Sequence, residues 1–130
     1  MAAGQTNQNG SIIDMANYEG VVFIAALGAL ASGAVTGLKV QMGSESNLSD
    51  AADLAGTAIS IADSDDNKLL VVDVNRPSER YVRAVLTRGT GDATIDGVVA
   101  IQYGPRLMPV TQDSTVAGIE THASPLEGTA

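Results

Sequence analysis

The sequence predicts an all-β fold: an antiparallel β-sandwich, jelly-roll or immunoglobulin-like, of about 6–8 strands with extended terminal arms. Three observations carry that prediction. Short stretches alternating apolar and polar residues recur at roughly ten-residue spacing. Clusters of Gly, Asn, Asp, Ser and Pro separate them. No stretch sustains the 3.6-residue period of an amphipathic helix.

The elements follow in order. Residues 1–10 (MAAGQTNQNG) are small and polar, with nothing to pack, and read as a flexible N-terminal arm. A β-sandwich domain then spans 11–106. Ser11–Ala16 is its first strand, closed by Asn17, Glu19 and Gly20. Gly20–Leu30 is apolar and β-branched at Val21, Val22 and Ile24, which predicts a strand buried on both faces. Val35–Met42 alternates, Leu38, Val40 and Met42 facing the core while Lys39 and Gln41 face water. Residues 43–56 form a polar loop in which Ser49 could cap one helical turn. Thr57–Ala62 is a short strand, and Asp63–Asn67 a polar turn.

Lys68–Val74 places Leu70, Val72 and Val74 on one face, and Pro77 ends it, because proline cannot donate to a ladder. Arg80–Arg88 sets Val82, Ala84 and Leu86 against Tyr81, Arg83, Val85 and Thr87. Ala93–Tyr103 is the last strand, bulged near Gly97. Residues 107–130 carry no sustained period and read as an extended C-terminal arm, with Pro105, Pro109 and Pro125 in the stretch that begins at Gly104.

Composition restricts function more than it reveals it. Of 130 residues none is Cys or Trp and one is His, which excludes disulfides, thiolate chemistry and sulfur-ligated zinc. No enzyme and no cofactor is expected. The net charge of −8 repels phosphate backbones, so no nucleic-acid partner is expected. The longest apolar run, Val21–Ala31, is far short of the ~20 residues that cross a bilayer, so no membrane partner is expected either. No secretory leader is expected, since the first basic residue is Lys39.

Several polar groups are candidates for chemistry. Asp63, Asp65 and Asn67 match the first ligand positions of a calcium loop, but Lys68 stands at the glycine position and Val74 at the bidentate glutamate position. A solvated turn is the favoured reading. Asp113, Ser114 and His122 contain the residue types of a nucleophilic triad, yet they lie in an arm without a rigid scaffold. The arginines are the remaining group. Arg76, Arg80, Arg83 and Arg88 fall on one strand and its leading turn, and with Arg106 they form the candidate partner interface. The plainer alternative is surface pairing, for example Arg83 with Asp73 across strands.

The runs GVVFIAALGAL, LKVQMGSE, DLAGTAISIADSDDNKLLVVDVNRPSERYVRAVLTRGTGDATIDGVVAIQYGPR and PVTQD make the stretch from Gly20 to Val116 resemble small virion structural proteins of tailed bacteriophages. The resemblance is one of overall pattern, and no site residue carries over with it. It implies a small acidic β-sandwich present in many copies, a capsid decoration or cement protein bound to the major capsid protein. A homo-oligomer, with a trimer favoured, is implied, located in the phage head and assembled in the bacterial cytoplasm. A cysteine-free chain suits that reducing compartment. The alternatives are a neck or tail structural protein, or a carbohydrate- or receptor-binding β-sandwich module. The last has few aromatic platforms available: Tyr18, Tyr81, Tyr103 and Phe23.

Overall fold

The structure is a computed structural model describing residues 1–124 and 126–129. Pro125, counted above with the C-terminal arm, lies outside the described residues, as does Ala130. The chain is all-β, with strands β1 (Gln8–Asn9), β2 (Ile13–Asp14), β3 (Gly20–Leu30), β4 (Val35–Gly43), β5 (Ala52–Asp53), β6 (Ile59–Ile61), β7 (Leu69–Asn75), β8 (Tyr81–Gly89) and β9 (Ala93–Tyr103). They form two antiparallel sheets. A six-stranded sheet runs β1-β8-β4-β5, with β2 also on β8 and β6 also on β4; a three-stranded sheet runs β7-β3-β9. This is the predicted sandwich.

Side-chain parity explains the layering. On β3, Val21, Phe23, Ala25 and Leu27 point inward, where they meet Leu70, Val72 and Val74 of β7. From the other sheet, Leu38 and Val40 of β4 and Val82, Ala84 and Leu86 of β8 face them. Phe23 and Ile95 are the largest side chains to be almost wholly enclosed on the three-stranded side. With so few aromatics the core is filled by Val, Leu, Ala and Ile, so its layers are thin and each methyl counts.

β3 is the central strand of its sheet, paired with β7 from Gly20 to Ala26 and with β9 from Gly20 to Leu30. The register of β3 with β9 shifts where Ala26 faces Gly97 and Leu27 faces Ile95, leaving Asp96 as an extra residue in a β-bulge. β7 and β8 are adjacent in sequence but lie in different sheets, so residues 76–80 carry the chain from one layer to the other.

Three local expectations change. The loop after β4 contains no helical turn at Ser49; instead the Asp50 carboxylate accepts hydrogen bonds from the Ser44 N–H and hydroxyl (2.8 Å each), and the Leu48 N–H donates to Glu45 O (2.8 Å) within the same loop. The one helical element among the described residues is a 3₁₀ turn at Asp63–Asp65. The N-terminal ten residues, read as a free arm, lie against both sheets, Gln8–Asn9 at the edge of the six-stranded sheet and Met1 and Gly4 beside β9 of the three-stranded one. Gln8 and Asn9 pair with Leu86 and Val85, and Gly4 forms a bridge to Ala93. They bury almost nothing apolar, so hydrophobicity could not have foretold this. The cause is an arginine, described next.

Candidate functional site

The five arginines do not form one surface; the structure sends them to three places. Arg88 shares the parity of Val82, Ala84 and Leu86, so its side chain enters the core-facing side of β8 and is only 8% exposed. A guanidinium there must find acceptors or lose the hydration of a full charge. It finds backbone carbonyls: Nε donates to Thr6 O (2.8 Å), and Nη1 donates to Ala2 O and Ala93 O (2.9 Å each). The Arg88 N–H also donates to Asn7 Oδ1 (3.0 Å). Arg88 is therefore an internal latch for residues 2–7 and not a partner contact. The sequence signal was its even-numbered position after Val82-x-Ala84-x-Leu86.

Arg83 lies on the outer face of the six-stranded sheet. Its Nε and Nη2 donate to Gln41 Oε1 (2.9 and 2.7 Å), Gln41 Nε2 donates to Asp53 Oδ1 (2.8 Å), and Lys39 Nζ closes the row on Asp53 Oδ2 (2.7 Å). The expected partner Asp73 is out of reach because β7 belongs to the opposite sheet. This polar row ties β8 to β4 and β5, and it holds the Asp53 carboxyl below its ordinary range through the Lys39 hydrogen bond first and Gln41 second.

Arg76, Arg80 and Arg106 do converge. They line an open cleft of about 690 Å³ at one end of the sandwich, together with Tyr18, Glu19 and Glu79. Arg80 makes a bidentate pair with Asp14 (2.9 and 2.8 Å), and that hydrogen bonding holds the Asp14 carboxyl below its usual range. Arg76 sits at φ +51°, in the left-handed region that non-glycine residues rarely adopt. Two bonds to Glu19 hold it there: its N–H to Glu19 O (2.8 Å) and its Nε to Glu19 Oε1 (3.0 Å). Arg106 has no carboxylate within ion-pair distance among the described residues, although its backbone N–H is anchored on Asn17 O (2.8 Å). Of the candidate interface, then, Arg76, Arg80 and Arg106 share one site, while Arg83 and Arg88 do not.

The acidic turn is engaged locally. Asp63 Oδ2 accepts from the Gly33 N–H (2.7 Å), and Asp65 pairs with Lys68 (2.6 Å), which holds the Asp65 carboxyl below its usual range. In the C-terminal arm, His122 lies 2.9 Å from Glu120 rather than beside Ser114, whereas Asp113 Oδ1 accepts hydrogen bonds from Thr115.

A second surface was not singled out in the sequence. The outward side of the three-stranded sheet is apolar and open. In register, Leu69–Ala26–Gly97, Val71–Ile24–Val99 and Asp73–Val22–Ile101 form three rows across β7, β3 and β9. Leu69 is 62% exposed, Val71 48%, Val99 56% and Ile101 50%. At the row's end Tyr103 crosses over Gly20 and its hydroxyl donates to Asp73 Oδ1 (2.8 Å). The clue lay in the sequence: LLVVDVN and VVAI have apolar residues at both parities, the pattern of strands covered on two sides. Only the tertiary structure shows that the second side has no cover among the described residues.

These features define a two-sheet, all-β protein. No protein-family model matches the chain, and no curated protein is significantly similar to it.

Proposed function

We propose that this chain is a structural protein of a bacteriophage virion, most consistently a capsid decoration protein that binds the major capsid lattice and stabilises the head. The observation that carries the reading is the C-terminal arm. From Gly104 the described residues form no strand, yet they include Leu107, Met108, Val116, Ile119 and Leu126, all exposed, the last 97% so. Large apolar side chains on an extended segment gain little in isolation and much when a neighbouring surface orders them. Its first residues, Leu107 to Thr111, lie beside Tyr18 and next to the arginine cleft, so the arm leaves the body from the end where Arg106 is without an acidic partner.

The reading gives the two termini different roles. Residues 2–7 are latched to the body by Arg88, and the C-terminal arm is the segment offered to the shell. The test is binding to purified capsid shells, with shell stability against heat or chaotrope as the readout. The full chain is expected to bind and to raise that stability; a chain lacking residues 107–130 is expected to keep its unfolding transition and lose shell binding. Shells equally stable with and without the full chain would reject the proposal. Binding to tail tubes or neck complexes in place of shells would move the protein to that part of the virion.

A further inference from the structure

We infer that Asn9–Gly10 is a site of spontaneous covalent self-modification, an asparaginyl-to-isoaspartyl conversion, and that the Arg88 latch controls its rate. Asn9 is the sole asparagine of the chain followed by glycine. Glycine matters because its nitrogen, with no Cβ beside it, approaches a neighbouring carboxamide without obstruction. Asn9 is exposed, so water reaches the site.

The chemistry needs nothing but water. The Gly10 amide nitrogen attacks Asn9 Cγ; the new N–Cγ bond closes a five-membered imide, the Cγ–Nδ2 bond breaks, and the amide proton leaves with ammonia. Water then adds to either imide carbonyl and opens its C–N bond. Opening at Cγ leaves an aspartate with the original main chain. Opening at the main-chain carbonyl leaves an isoaspartate, whose main chain runs through Cβ and Cγ and is longer by a carbon. No electrons change hands.

The folded chain holds the reactants apart. Asn9 lies in β1 opposite Val85, and an extended residue puts the following nitrogen on the Hα side of its Cα, away from the side chain. Rotating that nitrogen towards Cγ breaks its hydrogen bond to Ala84 O, 2.8 Å long. A Cβ at Gly10 would stand 3.1 Å from the same oxygen, so the glycine that makes the pair reactive is also what lets β1 lie this close to β8. Just upstream, Asn7 Oδ1 accepts from the Arg88 N–H, and Arg88 Nε and Nη1 hold Thr6 O and Ala2 O. Conversion therefore proceeds from molecules in which this segment has lifted off, at a rate set by how often it lifts.

The isoaspartyl product does not return. β1 and β2 both pair with β8, in registers that differ by one residue, and the slack is taken up between Asn9 and Ile13. An extra main-chain carbon at residue 9 falls beside that slack, so with β2 in register the Asn9–Val85 pairing and the Gly10 hydrogen bond cannot both be kept. A reversible opening becomes a permanent release of the N-terminal segment, and the site acts as a one-way timer on the latch.

Incubation of the full chain in mildly alkaline buffer tests it. Peptide mapping by mass is expected to show the amide-to-acid exchange at Asn9, and a methyltransferase specific for isoaspartyl carboxylates is expected to label the product. Conversion is expected to run at least about tenfold slower in buffer than in concentrated urea, and to accelerate severalfold in Arg88→Ala. Asn7→Ala gives a second reading with the body intact: it removes only the acceptor of the Arg88 N–H, so it is expected to change the thermal midpoint little and still convert faster. Asn9→Gln is expected to stay unmodified, since its longer side chain would have to close a six-membered ring. In the purified isoaspartyl chain, amide exchange is expected to be fast at residues 4–9 over an intact β3. No conversion at Asn9 in urea would overturn the site. Equal rates in buffer and urea, or Asn7→Ala and Arg88→Ala chains that convert no faster than the original, would overturn the gate. An isoaspartyl chain that keeps its protection at residues 4–9 would overturn the one-way release.

Discussion

The Tyr103 hydroxyl reaches across an entire strand to Asp73: the ring starts on β9, lies over Gly20 of β3, and donates its O–H to Asp73 Oδ1 of β7 at 2.8 Å. A methyl group at Gly20 would sit 2.2 Å from the ring carbon Cζ, so the absence of a side chain there is what permits the crossing. One aromatic thereby ties all three strands at the arginine end of the sandwich.

The hydrogen bond from Tyr103 to Asp73 is the first cause of a phenol that titrates above the ordinary tyrosine range. The sign follows from linkage. The neutral phenol is favoured in the folded chain, so its contribution is complete below pH ~10 and is lost as pH rises through the higher folded value. Ultraviolet titration of the three tyrosines is expected to show Tyr103 ionising above its ordinary range. Asp73→Ala is expected to lower it towards that range. An unchanged Tyr103 titration in that variant would show that the contact does not govern the group.

Removing the Arg88 guanidinium leaves Ala2 O, Thr6 O and Ala93 O without their donor. Arg88→Ala is expected to destabilise the fold by about 2–4 kcal/mol, because buried acceptors lose a charged partner and a large side chain is truncated. Amide exchange at residues 4–9 should accelerate more than exchange in β3. Arg88→Lys supplies a single ammonium in place of a fork and is expected to recover only part of the loss. Uniform acceleration across the molecule would mean that the N-terminal segment is not a separately latched unit.

Gly37 of β4 lies opposite Ser60 of β6, with no room for a side chain. A Cβ there would lie 2.4 Å from the Ile59 carbonyl oxygen and 2.7 Å from Thr87 Oγ1. Because one obstacle is backbone, Gly37→Ala is expected to detach β6 and lower the thermal midpoint, despite alanine's smaller conformational entropy loss. Faster amide exchange at Ile59–Ile61 with β8 unaffected would report the local event; a raised midpoint would refute it.

The Asp14–Arg80 pair tethers β2 to the turn before β8, and its depressed carboxyl contributes stability only where it is ionised. That contribution is present above the unfolded value near 3.8 and disappears as pH falls through the lower folded value. Asp14→Asn is expected to abolish this part of the acid dependence while changing stability at neutral pH only slightly, since both side chains are about half exposed. Acid unfolding curves of the two chains compared at constant salt check it.

Much of the sandwich could be read from residue order alone. Alternation is local: Leu70-x-Val72-x-Val74 and Val82-x-Ala84-x-Leu86 declare strands and inner faces whatever the topology, because side chains on a strand point to opposite sides in turn. The bulge near Gly97, the turns and the C-terminal segment without strands were legible for the same reason. The partners of those strands were not. Arg83 meets Gln41 instead of Asp73 because the chain changes layer after β7, and nothing within residues 76–80 announces which sheet comes next. The fate of Arg88 stood midway: its parity marked it as inward, but two of its acceptors, Thr6 O and Ala2 O, lie 82 and 86 residues away along the chain. The open apolar face is the extreme case. Composition determined that β3, β7 and β9 would be greasy on two sides, whereas what covers each side depends on long-range packing, which among the described residues leaves one side bare.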